Sequence, residues 1–173
     1  MTETELRPYT PGKVPGMAHG YALAAADGHS PAPSLPPHPG QSPTTSSATF
    51  RDVGDQQQIA NPSGGAASTI TDMLSFARAL TTHRLLSARL TTTVLAGKVD
   101  ARRPGGPARE QYGYGFDDQR IDGVRVVGHN GGTPGYEGQL DIYPDKGYTV
   151  ILLTNQDGVL VPAIQRSEHI LAA

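Results

Sequence analysis

The sequence predicts an α+β fold: an antiparallel sheet with flanking helices. Three observations carry that expectation. Ile70, Met73, Leu74, Ala77 and Leu80 recur at spacings of three and four, the period of a helix with one apolar face. From Tyr112 to Thr154 the chain runs instead in short apolar or alternating stretches, broken by Asp122-Gly123 and by Pro144-Asp145-Lys146-Gly147. Residues 161–171, with Ile164, Ile170 and Leu171, return to a helical pattern. The length of 173 residues suits one domain with a sizeable core.

The elements follow in order. Residues 19–25 read as one short strand ending at the Asp27-Gly28 turn. From 29 to 47 the chain carries Pro31, Pro33, Pro36, Pro37, Pro39 and Pro43. Each proline removes an N–H and restricts its predecessor, so this stretch is expected as an extended linker. Residues 49–59 are polar and irregular. Asn61-Pro62-Ser63-Gly64 is a tight turn, and Thr69 with Asp72 has capping-box spacing at the start of the first helix. A second short helix is expected from Ser87, with Leu90 and Val94 inward and Gly97 beyond its end. Residues 98–110 are expected as a loop. Residues 112–116 read as a strand with close backbone approach, and 124–128 as the strand returning from Asp122-Gly123. Residues 136–143 alternate, with Asp141 outward. The apolar run 148–154 reads as a central strand covered on both faces. The organisation expected is 1–60, a strand plus a Pro/Ser-rich loop, and 61–173, the sheet with its helices.

Composition excludes several classes of function. Lys and Arg number 14 against 16 Asp and Glu, a net charge of −2, which gives no basic patch for nucleic acid or an anionic membrane. With no Cys there is no disulfide frame, thiolate metal site or Cys nucleophile. His19, His29, His38, His83, His129 and His169 show neither H-x-H nor H-x-x-x-H spacing, so no metal is expected, and no cofactor. No apolar run is long enough to span a membrane, and the first residues have no secretory h-region. Localisation is read as cytoplasmic by default. Asp117-Asp118 reads as solvated loop charge, and Tyr112, Tyr114 and Tyr143 as strand packing.

The informative stretch is Gly128-His129-Asn130-Gly131-Gly132-Thr133-Pro134-Gly135-Tyr136. Glycines on a strand let a ligand lie against the backbone, whose N–H groups can stabilise an oxyanion. His129 can donate a hydrogen bond or move a proton near neutral pH. A tight hairpin with a surface histidine is the plainer alternative.

Several blocks, in order, resemble the C-terminal half of the β-lactamase-related serine hydrolases, which include class C β-lactamases, D-alanyl-D-alanine carboxypeptidases and esterases. Ala18-His19-Gly20-Tyr21 is similar to the family's A-x-G-Y strand. Gly64-Gly65-Ala66-Ala67-Ser68-Thr69, running on to Asp72-Met73, resembles its helix start, and Tyr112-Gly113-Tyr114-Gly115-Phe116 its Y-G-x-G-aromatic block. The stretch 128–136 resembles its third active-site motif, and 144–155 its last hairpin and strand. The resemblance implies acyl transfer with no cofactor. His129 would stand where the motif's Lys or His faces substrate, and Gly132 would supply an oxyanion N–H. Asn130, Gly131 and Tyr136 would line the substrate. The substrate would be a small-molecule or peptide acyl compound.

The family's nucleophile and base are missing. Thr10, Leu95 and Tyr143 stand three before Lys13, Lys98 and Lys146, so there is no S-x-x-K. Ile59, Gly128 and Leu153 stand two before Asn61, Asn130 and Asn155, so there is no Y-x-N. The expected fold is therefore an incomplete β-lactamase/transpeptidase-like one, inactive alone, with a complementing N-terminal chain as its partner. Members are often exported, and any signal would lie upstream of Met1. Whether the chain is an enzyme part or a non-catalytic binding remnant stays open at this point.

Overall fold

The computed structural model describes residues 1–24, 49–101 and 109–172. The Asp27-Gly28 turn, the proline-rich stretch and the middle of the expected 98–110 loop lie outside them. Helix α1 (Ile70–Thr81) begins as its sequence requires: the Thr69 hydroxyl accepts the Asp72 N–H at 3.2 Å. The Asp72 carboxylate does not complete the box. It accepts the Thr2 N–H at 3.3 Å, the Glu3 N–H at 2.8 Å and the Thr4 hydroxyl at 2.8 Å. Burial raises its pKa, but the three hydrogen bonds, with Thr4 foremost, outweigh burial and hold it below the usual carboxylate range. The N-terminal segment is thus strapped to the head of α1, with Glu5 bridging to Ala67 and Tyr9 to Gln58.

Helix α2 (Ala88–Val94) is capped by Ser87. Its inward residue is Thr91, whose hydroxyl reaches the Leu80 carbonyl at 3.4 Å; Leu90 points to solvent, contrary to expectation. The helix is too short to bury a stripe, and the cluster of Leu80, Leu95 and Val127 fixes its orientation through Leu95 just past its end.

Strands β1 (Tyr21–Ala24) and β2 (Thr49–Asp52) form an antiparallel ribbon. Residues 49–52 were expected to be irregular because they are polar; an exposed ribbon needs no apolar alternation to pair. Among the described residues the main sheet has six antiparallel strands in sequence order: β3 (Val99–Asp100), β4 (Arg109–Tyr112), β5 (Asp117–Ile121), β6 (Val124–Thr133), β7 (Tyr136–Tyr143) and β8 (Tyr148–Thr154). The ends of the expected 98–110 loop are therefore strands. Residues 113–116 form a tight turn rather than a strand, with Gly115 at φ 81° and the Gly113 N–H on the Phe116 carbonyl at 2.8 Å. Asp122 and Gly123, at φ 49° and 86°, make the expected hairpin turn.

Helices lie on both faces. Leu140 and Ile142 of β7 cluster with Ala77 of α1 and with Ile151 of β8. By alternation, Glu137, Gln139, Asp141 and Tyr143 face the other way. There α3 (Leu160–Ala172) covers them, its Leu160 N–H donating to Glu137 at 3.3 Å. Strand β8 is not central: among the described residues it is the last strand of the sheet, partly exposed along most of its length. Its continuous apolar run comes from helices on either face, which a sequence pattern does not distinguish from strands on either edge.

Candidate functional site

The glycine-rich motif lies within β6 and its hairpin to β7, closed by Pro134 and Gly135. Strand β5 pairs with β6 only as far as Gly128. From His129 to Thr133 the edge of β6 on the β5 side is open among the described residues. In antiparallel pairing, backbone groups alternate between the two neighbours. Counting from either closing pair, Ile121↔Val124 or Thr133↔Tyr136, Asn130 and Gly132 direct their backbone N–H and C=O groups to that open edge.

Each glycine has a separate reason. A Cβ on Gly128 would collide with the Leu140 carbonyl and the Asp141 carboxylate. A Cβ on Gly131 would meet nothing within 4 Å, so this position is clear for an approaching molecule. Gly135, at φ 79°, lies against β1: its N–H donates to Asp157 at 2.6 Å, while the same carboxylate accepts the Leu23 N–H at 2.9 Å. Asp157 therefore clamps the motif's hairpin to the N-terminal ribbon.

His129 is exposed beside this edge, on the face of α1 and α2. Its Nδ1 is bonded to the Asn130 carbonyl, and its Nε2 lies 3.2 Å from the Tyr112 hydroxyl, with the rings edge to face at 5.8 Å. Tyr136 turns toward the ribbon. Its hydroxyl donates to the Ala18 carbonyl at 3.1 Å, and its ring occupies the space a Cβ on Gly20 would need. Burial raises its pKa. Thus His129, Asn130, Gly131 and Gly132 share one open strand edge, and Tyr136 sits beside the hairpin's turn, against Gly20.

Three carboxylates differ from expectation. Asp117 and Asp118 are not loop charges but half-buried residues of β5. Asp118 accepts Arg125 at 2.9 and 3.0 Å, and Arg125 also donates to the Leu95 carbonyl at 2.8 Å, tying α2 to the sheet. Asp141 is not a surface carboxylate: it is 1% exposed, because α3 covers the face expected to meet water. Tyr112 and Asp157 also belong to the site, through His129 and Gly135, and no sequence motif marks them as site residues. Tyr112 resembled packing; Asp157 carried only the signal of an Asp-Gly pair two residues beyond Asn155. Among the described residues, no group of His, Asp or Glu is placed to hold a metal ion.

Comparison with known proteins agrees with this architecture. The Beta-lactamase family model matches residues 1–173, and the chain belongs to that family. Its fold is similar to a penicillin binding protein from Bacillus halodurans, at TM-score 0.68 and 20% identity, over 96% of this chain and 44% of that one. It is similar as well to an octameric penicillin-binding protein homologue from Pyrococcus abyssi, at TM-score 0.66 and 19% identity, over 96% of this chain and 33% of that one. A D-stereospecific amidohydrolase from Streptomyces follows at TM-score 0.56 and 22% identity, over 87% of this chain and 39% of that one. The chain thus spans less than half the length of each. No curated protein is close enough to match.

Proposed function

We propose that this chain is the C-terminal portion of a β-lactamase-like serine hydrolase, transferring an acyl group from an ester, amide or β-lactam carbonyl to water. The observation that carries the reading is the open edge of β6, where the Gly132 N–H faces a strip of backbone that Gly131 leaves clear. In this reading Gly132 holds the developing oxyanion. Asn130 and Gly131 lie along the substrate, Tyr136 walls its end, and His129 faces it. The nucleophile and base come from an S-x-x-K and a Y-x-N on another segment, and the chain alone is inactive. A histidine in place of a lysine removes a permanent ammonium for a substrate carboxylate, which favours ester or peptide carbonyls over a dedicated β-lactam role. Residues 61–173 are the C-terminal part of the hydrolase domain, and 1–60 its preceding strand and loop.

A second reading, a non-catalytic remnant that pairs with another chain, draws on the open outer edge of β8. A fluorophosphonate and an intact-mass measurement separate the two. The chain alone is expected to take no adduct in either case. Joined to a segment carrying S-x-x-K and Y-x-N, it is expected to become labelled on that serine, and Gly132→Pro, which removes the N–H, is expected to slow labelling by on the order of 100-fold. No labelling of the joined protein leaves only the binding reading; labelling of the chain alone overturns both.

A further inference from the structure

We infer that Tyr112 is the positioning residue of this site: its hydroxyl fixes His129 in one tautomer and one orientation, so that the pair, not the imidazole alone, meets the acyl substrate. The inference rests on reading the β6 edge as the acyl site. A neutral imidazole has one N–H and one lone-pair nitrogen. The Asn130 carbonyl beside Nδ1 can only accept, so Nδ1 carries the hydrogen. Nε2 is then the acceptor, and the Tyr112 hydroxyl at 3.2 Å donates to it. Both ring nitrogens are engaged, so the pair meets a ligand through the lone pairs left on the Tyr112 oxygen rather than through the imidazole.

The tyrosine is itself held firmly. The Lys98 N–H donates to the Tyr112 carbonyl at 2.8 Å. The next residue, Gly113, passes so near α2's end that a Cβ there would lie 2.6 Å from the Ala96 carbonyl. Its N–H closes the turn on Phe116 at 2.8 Å. The edge-to-face contact at 5.8 Å and 64° gives His129 a second restraint besides its hydrogen bonds. Glycine at 113 therefore serves the position of Tyr112, and Tyr112 serves the state of His129.

The test is long-range proton–nitrogen NMR of the full chain with nitrogen-15 histidine, above the pH at which imidazole is neutral, with His129 assigned by its loss in His129→Gln. The wild-type signal is expected to show a protonated Nδ1 and an unprotonated Nε2. Tyr112→Phe, which keeps the ring, is expected to abolish that single-tautomer signature, while Tyr114→Phe, at an exposed neighbour, leaves it intact. An Nε2–H tautomer in the wild type, or no change in Tyr112→Phe, overturns the inference. Should Tyr112→Phe fail to fold by near-UV circular dichroism, fluorotyrosine in the wild-type chain gives the same readout. Its stronger hydroxyl donor is expected to move the Nε2 resonance, and a fixed resonance overturns the inference. None of these readouts needs catalysis. A tautomer held by Tyr112 in a joined protein that never acylates would sink the hydrolase reading alone; acylation with an indifferent tautomer would sink this one alone.

Discussion

Asp141 sets the chain's response to pH. It lies on β7 beneath α3, and one oxygen accepts the Gln139 side-chain N–H at 2.5 Å, while Oδ2 has no partner among the described residues. Burial, added to the nearby Asp117 charge, pushes its pKa up to about 6. Burial and Asp141 together push Glu168 of α3 up to about 7. The phenol of Tyr143 on the same face is raised by burial too. Folded-state values above the unfolded ones favour the protonated forms. The stability they contribute is fully present below about pH 4 and is lost as pH rises through 6 and 7. The urea midpoint of the wild type should therefore fall between pH 5 and pH 8. Asp141→Asn should flatten that fall and raise stability at pH 8 by about 1–3 kcal/mol, the worth of one to two pKa units. An unchanged slope would refute the burial argument. Opposite Asp141, Gly128→Ala should cost about 1–3 kcal/mol by urea titration, since its Cβ would overlap fixed backbone. Glycines and the histidine of the site are legible in sequence because their spacing is local. The burial of Asp141 is not, because period-two alternation assumes a wet face and α3 removes it.

At the scale of elements, Asp157 joins what the chain order separates. It takes the Gly135 N–H of the β6–β7 hairpin and the Leu23 N–H of β1, and nearby the Asn155 carbonyl accepts the Tyr21 N–H at 2.8 Å. Asp157→Ala leaves two part-buried backbone donors without an acceptor, and should cost about 2 kcal/mol or more. Hydrogen exchange locates the loss: the amides of Gly135 and Leu23 should exchange faster, while those of β5 keep their protection. Uniform acceleration would mean global destabilisation rather than an opened clamp. Helices α1 and α3 and the two Asp-Gly and Asp-Lys-Gly turns were legible, since caps, period and positive φ are properties of a few adjacent residues. Strand β2 and the edge position of β8 were not. Pairing of β2 depends on β1 across 24 intervening residues, 25–48. Both faces of β8 are apolar whether its neighbours are strands or helices.

For the whole molecule, the consequence of that edge is association. Strand β8 presents seven residues, Tyr148–Thr154, with no strand on its outer side among the described residues. Within it Leu153 is 41% exposed, and beyond it Val159 is 39% and Ile170 of α3 58% exposed. Free backbone groups in a row and adjoining apolar surface form a template for another strand. The chain should therefore elute from size exclusion as a concentration-dependent mixture rather than as one monomer peak. Leu153→Lys puts a charge on this edge and should shift the mixture toward monomer without altering the near-UV circular dichroism. His129→Gln, on the open edge of β6, should leave the elution unchanged. A sharp monomer at all concentrations, with a rigid near-UV signal, would show that the edge is already protected. Dissociation by His129→Gln instead of Leu153→Lys would place self-association at the glycine edge, where it would compete with the proposed acyl substrate for the same backbone.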